Sequence, residues 1–206
     1  MGGLQDVKPT RSELLEVKKK IRLSQSGYKL LKMKRDGLII EFFEVLNQAK
    51  GIRAKIVQDY RRAQEAIAVA SAVDGTLAVK SAAFSVSATP EVKISSKNVM
   101  GVIVPKVEGK QVSKKILERG YGIVGTRATI DEAAKAYEAL SEDIIKAAEI
   151  ETTIKKLLDE IEKTKRRVNA LEFKVIPELT EAMNFIRLRL EEMERENTFR
   201  LKRIKG

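Results

Sequence analysis

The chain has no cysteine, no histidine and no tryptophan, and each absence narrows what it can do. Without cysteine there are no disulfides and no thiolate chemistry, which suits a cytosolic setting. Without histidine the commonest general base and metal ligand is missing, which disfavours hydrolytic and zinc-dependent activities. Aromatics make up 5% of 206 residues and charged residues 33%, too polar a balance for a large globular core. No apolar run approaches the roughly 18 residues of a membrane span. Met1-Gly2-Gly3-Leu4-Gln5-Asp6 is not the basic-then-apolar opening of a signal segment, so the sequence predicts a soluble protein that stays where it is made.

What the chain does have is heptads. From Thr10, one set of positions reads Leu14, Ile21, Tyr28, Arg35, Phe42, Ala49, Ile56, Ala63 and Ala70. The alternate set reads Val17, Ser24, Leu31, Leu38, Val45, Ile52, Asp59, Ala66 and Val73. All but Arg35, Ser24 and Asp59 are apolar, and that spacing is the signature of a coiled-coil seam. A helix of about 64 residues would be roughly 95 Å long, which predicts a rod. Arg35 and Asp59 would fix register at some cost in stability.

The C-terminal segment repeats the pattern with Ala147, Ile150, Ile154, Leu157, Ile161, Val168, Leu171 and Val175, and Thr164 as a polar gap. Beyond Pro177 the seam resumes one residue late, at Leu179, Met183, Ile186, Leu190 and Met193. A proline removes a helical hydrogen bond and crowds the preceding turn, so a kink or local unwinding near Pro177 is expected. The predicted fold is mainly α: a long antiparallel two-helix coiled coil from residues 10–73 and 129–204. A middle region, 74–128, contains a β-hairpin at about 91–104. A period of 3.5 residues implies left-handed supercoiling.

Thr10-Arg11-Ser12-Glu13 and Thr129-Ile130-Asp131-Glu132 both read as capping boxes that start the two helices. Residues 76–88 are small and apolar without a deciding period. Glu91 to Ser95 alternates, Ser96-Lys97-Asn98 resembles a turn, and Val99 to Val104 forms the second predicted strand. Pro105 would end that strand or place it at an edge, and Ser113 to Leu117 resembles one helical turn.

Net charge is +11 but unevenly spread. Arg11, Lys18, Lys19, Lys20, Arg22, Lys29, Lys32, Lys34 and Arg35 face only Glu13 and Glu16 over residues 10–35, whereas residues 129–196 are acidic overall. The last ten residues add Arg200, Lys202, Arg203 and Lys205 without an acid. Antiparallel pairing puts both stretches at one end, giving a basic tip. Basic coiled-coil faces are also commonly just solvated.

Enzyme-like motifs are weak. Gly120, Gly122 and Gly125 spell G-x-G-x-x-G, but polar Ser113 to Arg119 precedes them where a buried strand is required. A turn that reverses the chain explains them better than a dinucleotide site. Gly109-Lys110 lacks the Walker A context, and the pairs Glu142/Asp143 and Glu191/Glu192 point to different helix faces. No catalytic residue, metal site or cofactor is predicted.

Three stretches carry more than periodicity. Pro9-Thr10-Arg11 precedes Glu13-Leu14-Leu15. Next comes Gly27-Tyr28-Lys29-Leu30-Leu31-Lys32-Met33-Lys34-Arg35-Asp36. The end reads Met193-Glu194-Arg195-Glu196-Asn197-Thr198-Phe199-Arg200-Leu201-Lys202-Arg203-Ile204-Lys205. In this order and spacing the chain resembles the D subunits of the archaeal A-type and vacuolar V-type rotary ATPases. Tyr28 stands where many members have histidine, and the length resembles archaeal or bacterial members.

The resemblance implies a non-catalytic central-stalk rotor subunit on the cytoplasmic side of a membrane, peripheral to it and without a span of its own. It implies that the paired helices enter a hexamer of catalytic and non-catalytic subunits. The middle region would hold the small central-stalk partner, the F subunit, and rest on the funnel-shaped subunit capping the membrane rotor ring. Torque would couple ATP synthesis or hydrolysis to proton or sodium transport. Lys18, Lys19, Lys20, Arg22, Arg200, Lys202 and Arg203 would then face the hexamer wall. The competing reading is a basic coiled-coil scaffold for nucleic acid or cytoskeletal partners. No nucleic acid is expected, because aromatics do not interleave with the basic residues as in single-strand binders.

Overall fold

A computed structural model describes residues 8–86, 92–109, 119–122 and 126–205. In chain order these form α1 (Arg11–Asp74), α2 (Thr76–Ser85), β1 (Val92–Val99), β2 (Val102–Gly109), α3 (Ala128–Ala170), a π-helical turn (Leu171–Val175) and α4 (Ile176–Lys205). The fold is thus a long N-terminal helix, a long C-terminal helical run and a small antiparallel hairpin between them. Two compact units share these helices: residues 8–39 with 160–205, and residues 40–159.

In the first unit α1 starts as its sequence predicts. The Thr10 hydroxyl accepts from the Glu13 amide at 3.2 Å, and the Leu14 amide donates to the Thr10 carbonyl at 3.0 Å. The first bond satisfies an amide that a helix start leaves without a partner, and the second is the first backbone bond of the helix. Val17 and Leu38 from α1 are buried, as are Thr164, Val168, Ala182 and Ile186 from the returning helices. Arg11 pairs with Glu194 at 2.6 Å and Lys34 with Glu160 at 3.0 Å, so partners descend as α1 ascends: the pairing is antiparallel. Arg35 does not reach across the seam; its guanidinium donates to Asp36 on its own helix at 2.8 Å.

The change of phase seen beyond Pro177 has a definite cause just before it. The Ile176 amide donates to the Leu171 carbonyl, five residues back, within the π turn Leu171–Val175. A π turn inserts one extra residue into the helix. That moves the seam by one position and relieves the crowding a proline imposes on the turn before it.

In the second unit, pairing continues through Arg53–Glu151 at 2.7 Å and Lys55–Asp143 at 2.8 Å. Ala63, Ala133, Leu140 and Leu157 are buried, and Ala70, Ala82, Tyr121 and Ile130 form a small apolar cluster with Val79 against it. α1 ends at Asp74 because Gly75 takes a φ of 86°, a left-handed conformation glycine adopts without penalty. Residues 76–85 are helical; the rest of the 76–88 stretch beyond Val86 lies outside the described residues. Thr129 does not cap α3, which begins at Ala128. Its hydroxyl donates instead to the Asp74 carboxylate, which also pairs with Arg127 at 3.4 Å. The predicted second capping box is therefore replaced by a tie between the end of α1 and the start of α3.

The hairpin is longer than its sequence suggested, spanning Val92–Val99 and Val102–Gly109 with Val99 opposite Val102. Its turn is Met100-Gly101, with φ of 49° and 86°, and Ser96-Lys97-Asn98 lies within β1. Positive φ at both central positions is the tight hairpin geometry that matches strand twist, and the Asn98 side chain accepts from the Gly101 amide at 2.8 Å. Pro105 sits inside β2 without ending it. Along the outer edge of β2, the Val107 amide donates to Glu149 at 3.2 Å and Lys156 donates to the Ile103 carbonyl at 2.9 Å. α3 thereby covers an edge that would otherwise invite pairing with other chains. The helical turn expected near 113–117, Glu91 and Gly125 all lie outside the described residues.

Antiparallel pairing in the first unit is checked with cysteines introduced at Arg11 and Glu194 in this cysteine-free background. A short bismaleimide should give an efficient intramolecular link, whereas the pair at 11 and 160 should give none. Equal linking of both pairs would contradict the register.

Candidate interaction faces

The glycine motif is part of a tight crossing. Gly120 has a φ of 89°, and a Cβ there would lie 2.6 Å from the Ser85 carbonyl oxygen at the end of α2. Conformation and space both demand glycine. On either side of it stand Arg119 and Tyr121, both buried.

Arg119 is 3% exposed and forms a forked pair with Glu138, Nε and one terminal nitrogen each donating at 3.0 Å. Its other terminal nitrogen donates to Asp131 Oδ1 at 3.2 Å and to the Tyr121 oxygen at 3.3 Å, while the Tyr121 hydroxyl donates to Asp131 at 2.6 Å. Burial lowers the Arg119 guanidinium's proton affinity, but the hydrogen bonds with Glu138 and Tyr121 more than restore it. Burial, helped by the bond to Asp131, pushes the Tyr121 phenol up. The group is a structural clasp that fixes residues 119–122 onto α3.

A second pair crosses the seam. Asp143 is buried, and the Lys55 ammonium holds its carboxyl below the usual carboxylate value, first through their hydrogen bond and then through charge. Lys55 is correspondingly raised, chiefly by its hydrogen bond to Asp143.

Of the sequence-predicted tip residues, Lys18, Lys19, Lys20, Arg22, Arg200, Lys202 and Arg203 are all exposed. They form two groups. From the Arg11–Glu194 contact the first group lies seven to eleven residues along α1, and the second lies six to nine residues the opposite way along α4. At 1.5 Å per residue that separates them by about 20–30 Å. α4 runs on past the start of α1, so antiparallel pairing brings both groups to one end without joining them.

The signature stretches divide by role. Thr10 caps α1 beside half-buried Pro9, and Arg11 meets Glu194, joining the first stretch to the last. Leu31 lies in the seam, Lys34 pairs across it, and Arg35 closes on Asp36. Lys32 stacks over Tyr28 with 5.6 Å from its nitrogen to the ring centre. Gly27 has open space where a Cβ would stand. Lys29, Arg195, Glu196, Asn197 and Arg200 are exposed, with Glu196 and Arg200 in a loose pair at 3.8 Å.

Among the described residues no group of three or more acidic, cysteine or histidine side chains is arranged for a metal. No single helix among the described residues is long and apolar enough to cross a membrane. Among the described residues, paired helices carry exposed charged side chains and residues 119–122 are clasped onto α3. The family model for the D subunit of ATP synthase matches residues 13–206, and the chain belongs to that family. A relative in Methanococcoides burtonii, named as the D subunit of an A-type ATP synthase, is 64% identical over 203 residues, covering 98% of both chains. The protein of that name in Methanoregula boonei is 62% identical over 99% of this chain and 98% of its own. That in Haloarcula marismortui is 53% identical over 98% and 88% respectively. The D subunit is a stalk component of the complex and is not itself catalytic.

Replacing Arg119 with Ala leaves Asp131 and Glu138 facing each other without their cation. Losing one partner of a buried pair costs about 3–5 kcal/mol, so the urea midpoint of this variant should fall sharply. A loss below about 1 kcal/mol, the size of an exposed pair, would show that the clasp is solvated.

The Lys55–Asp143 pair sets a pH dependence with a definite sign. Asp143's contribution is present above its ordinary value of 3.8 and is lost as pH falls through its depressed value. Lys55's contribution is present below 10.5 and is lost as pH rises through its raised value. Asp143→Asn should therefore flatten both limbs of a stability–pH curve. Unchanged limbs would show that other groups control them.

Proposed function

We infer that this chain is the central-stalk subunit of an A-type rotary ATP synthase, carrying torque between the catalytic hexamer and the membrane ion-translocating ring. The observation that carries this reading is similarity along almost the whole chain to proteins of that name, on a fold whose long helices pair along a heptad seam. Its partners are other subunits of the synthase, and it is a peripheral component of the complex. At finer detail, the helix pair would enter a hexamer of catalytic and non-catalytic subunits on the cytoplasmic side. The middle region would bind the small central-stalk partner, the F subunit, and rest on the funnel-shaped subunit that caps the rotor ring.

The physical basis is coupling through packing. A helix pair has no three-fold symmetry, so three equivalent interfaces around it meet three different surfaces. Each orientation therefore biases nucleotide affinity at one interface, and turning the pair moves that bias around the ring. The two groups of basic side chains contribute long, hydrated contacts that can be exchanged from one wall to the next. Each exposed charge pair is worth less than about 1 kcal/mol and is screened by salt, so the set acts collectively.

The direct test is purification of the tagged chain from its native membrane. Stoichiometric recovery of the hexamer subunits and the small central-stalk partner is the expected result. Salt-sensitive recovery of nucleic acid instead would favour the scaffold reading. Within the complex, Ala at any one of Lys18, Lys19, Lys20, Arg22, Arg200, Lys202 or Arg203 should change coupled ATPase activity only slightly, while Glu at all seven should weaken assembly. A single Ala that abolished turnover with assembly intact would identify a specific torque contact and end the collective account.

A further inference from the structure

The hairpin has one edge held and one edge bare. Its two-residue turn is closed by Val99 and Val102, whose backbones bond each other, and bonded and non-bonded pairs then alternate along the ladder. In β2 this aims the Ile103 carbonyl and the Val107 amide outward, and those are the groups that Lys156 and Glu149 of α3 engage. In β1 the same alternation aims the backbone groups of Val92, Ile94, Ser96 and Asn98 outward. Nothing among the described residues bonds them, and β1 is exposed from Val92 to Asn98. The sheet can grow on one side only.

The side chains of β1 narrow what can be added there. Ile94 and Ile103 lie on one face of the hairpin and are 74% and 64% exposed, whereas Val102 and Val104 on the other face are buried. Exposed isoleucine on an unpaired strand is a combination that sheets ordinarily avoid. Lys93 and Lys97 point to the face opposite Ile94, both exposed and without an ion-pair partner among the described residues. These lysines turn away a second copy of this chain. The antiparallel register that pairs all four outward residues of two β1 strands sets Lys93 opposite Lys97 at both ends, and like charges directly opposite are destabilising. A strand with Asp or Glu at those places meets attraction instead.

We propose that β1 accepts one further strand, an extended segment of another synthase subunit in which apolar residues alternate with Asp or Glu. Backbone bonds to the outward groups of β1 hold the segment, its apolar side chains cover Ile94, and its acids meet Lys93 and Lys97. The mode and chemistry of pairing go beyond the central-stalk reading, on which only the source of the segment rests.

The experiment follows amide hydrogen exchange, resolved to single residues, in the isolated full chain and in the purified complex. Alone, the Ile94 and Ser96 amides should exchange about tenfold faster than those of Ser95 and Lys97, which the ladder bonds. In the complex that difference should vanish. Ser96→Pro removes an outward donor and spares the ladder, since proline is tolerated where an edge amide faces away from its partner strand. The double change Lys93→Glu with Lys97→Glu reverses the charge on exposed side chains. Either variant should restore fast exchange at Ile94 in the complex. A photo-cross-linking amino acid at position 96 should capture an extended acidic segment of a synthase subunit, about tenfold less in the double Glu variant. Equal exchange at Ile94 and Ser96 alone and in the complex, or capture of a helix or of a second copy, overturns the proposal and leaves the lysines as guards of a bare edge. If the unaltered chain recovers no synthase subunit, the central-stalk reading fails and takes the assigned source of the segment with it.

Discussion

The narrow apolar seam joining α1 to α3 and α4 is the constraint on which the rest depends. A two-helix contact buries only one stripe of each helix, so Val17, Leu38, Leu157, Val168 and Ile186 provide the buried apolar contacts while most side chains remain in water. Such a seam specifies register through periodicity and a few cross-helix pairs. It leaves several faces open to other proteins, as a protein that works by contact requires.

In the unit formed by residues 40–159 the seam alone gives little apolar burial, because alanines occupy much of it. Ala63, Ala70 and Ala133 allow close approach but each removes little surface from water. Polar interactions of high specificity compensate. The Arg119 clasp holds residues 119–122 on α3, Asp74 ties the ends of α1 and α3 together, and Glu149 with Lys156 fastens the hairpin edge. A buried arginine between two carboxylates favours one geometry because any other leaves charge unpaired. For a component that must transmit force, that selectivity matters more than net stability.

Much of the helical fold was legible because heptads, the Thr10 cap and the one-residue seam shift beyond Pro177 are local signals. The shift even encodes the π turn, since one added residue is what the change of phase requires. The hairpin's presence was legible from alternation, but not its turn. Ser96-Lys97-Asn98 has turn-like composition, whereas Met100 lacks it and adopts positive φ only beside Gly101. Thr129 had the right spacing for a cap, yet Asp74, 55 residues earlier, takes its hydroxyl. The clasp was hidden for the same reason: Asp131 and Glu138 are seven apart on one face of α3, but nothing local joins them to Arg119 and Tyr121. The basic faces were legible as charge, while their axial separation needed the register of α1 against α4.

The claim that this protein turns within the hexamer is tested most directly by a reversible lock. The chain has no native cysteine, so one introduced on α1 and one on a facing hexamer wall can form a disulfide without competition from within the chain. ATP turnover in the assembled complex should stop when the bond forms and return when it is reduced. Full turnover with the chain covalently fixed to the hexamer would contradict rotation.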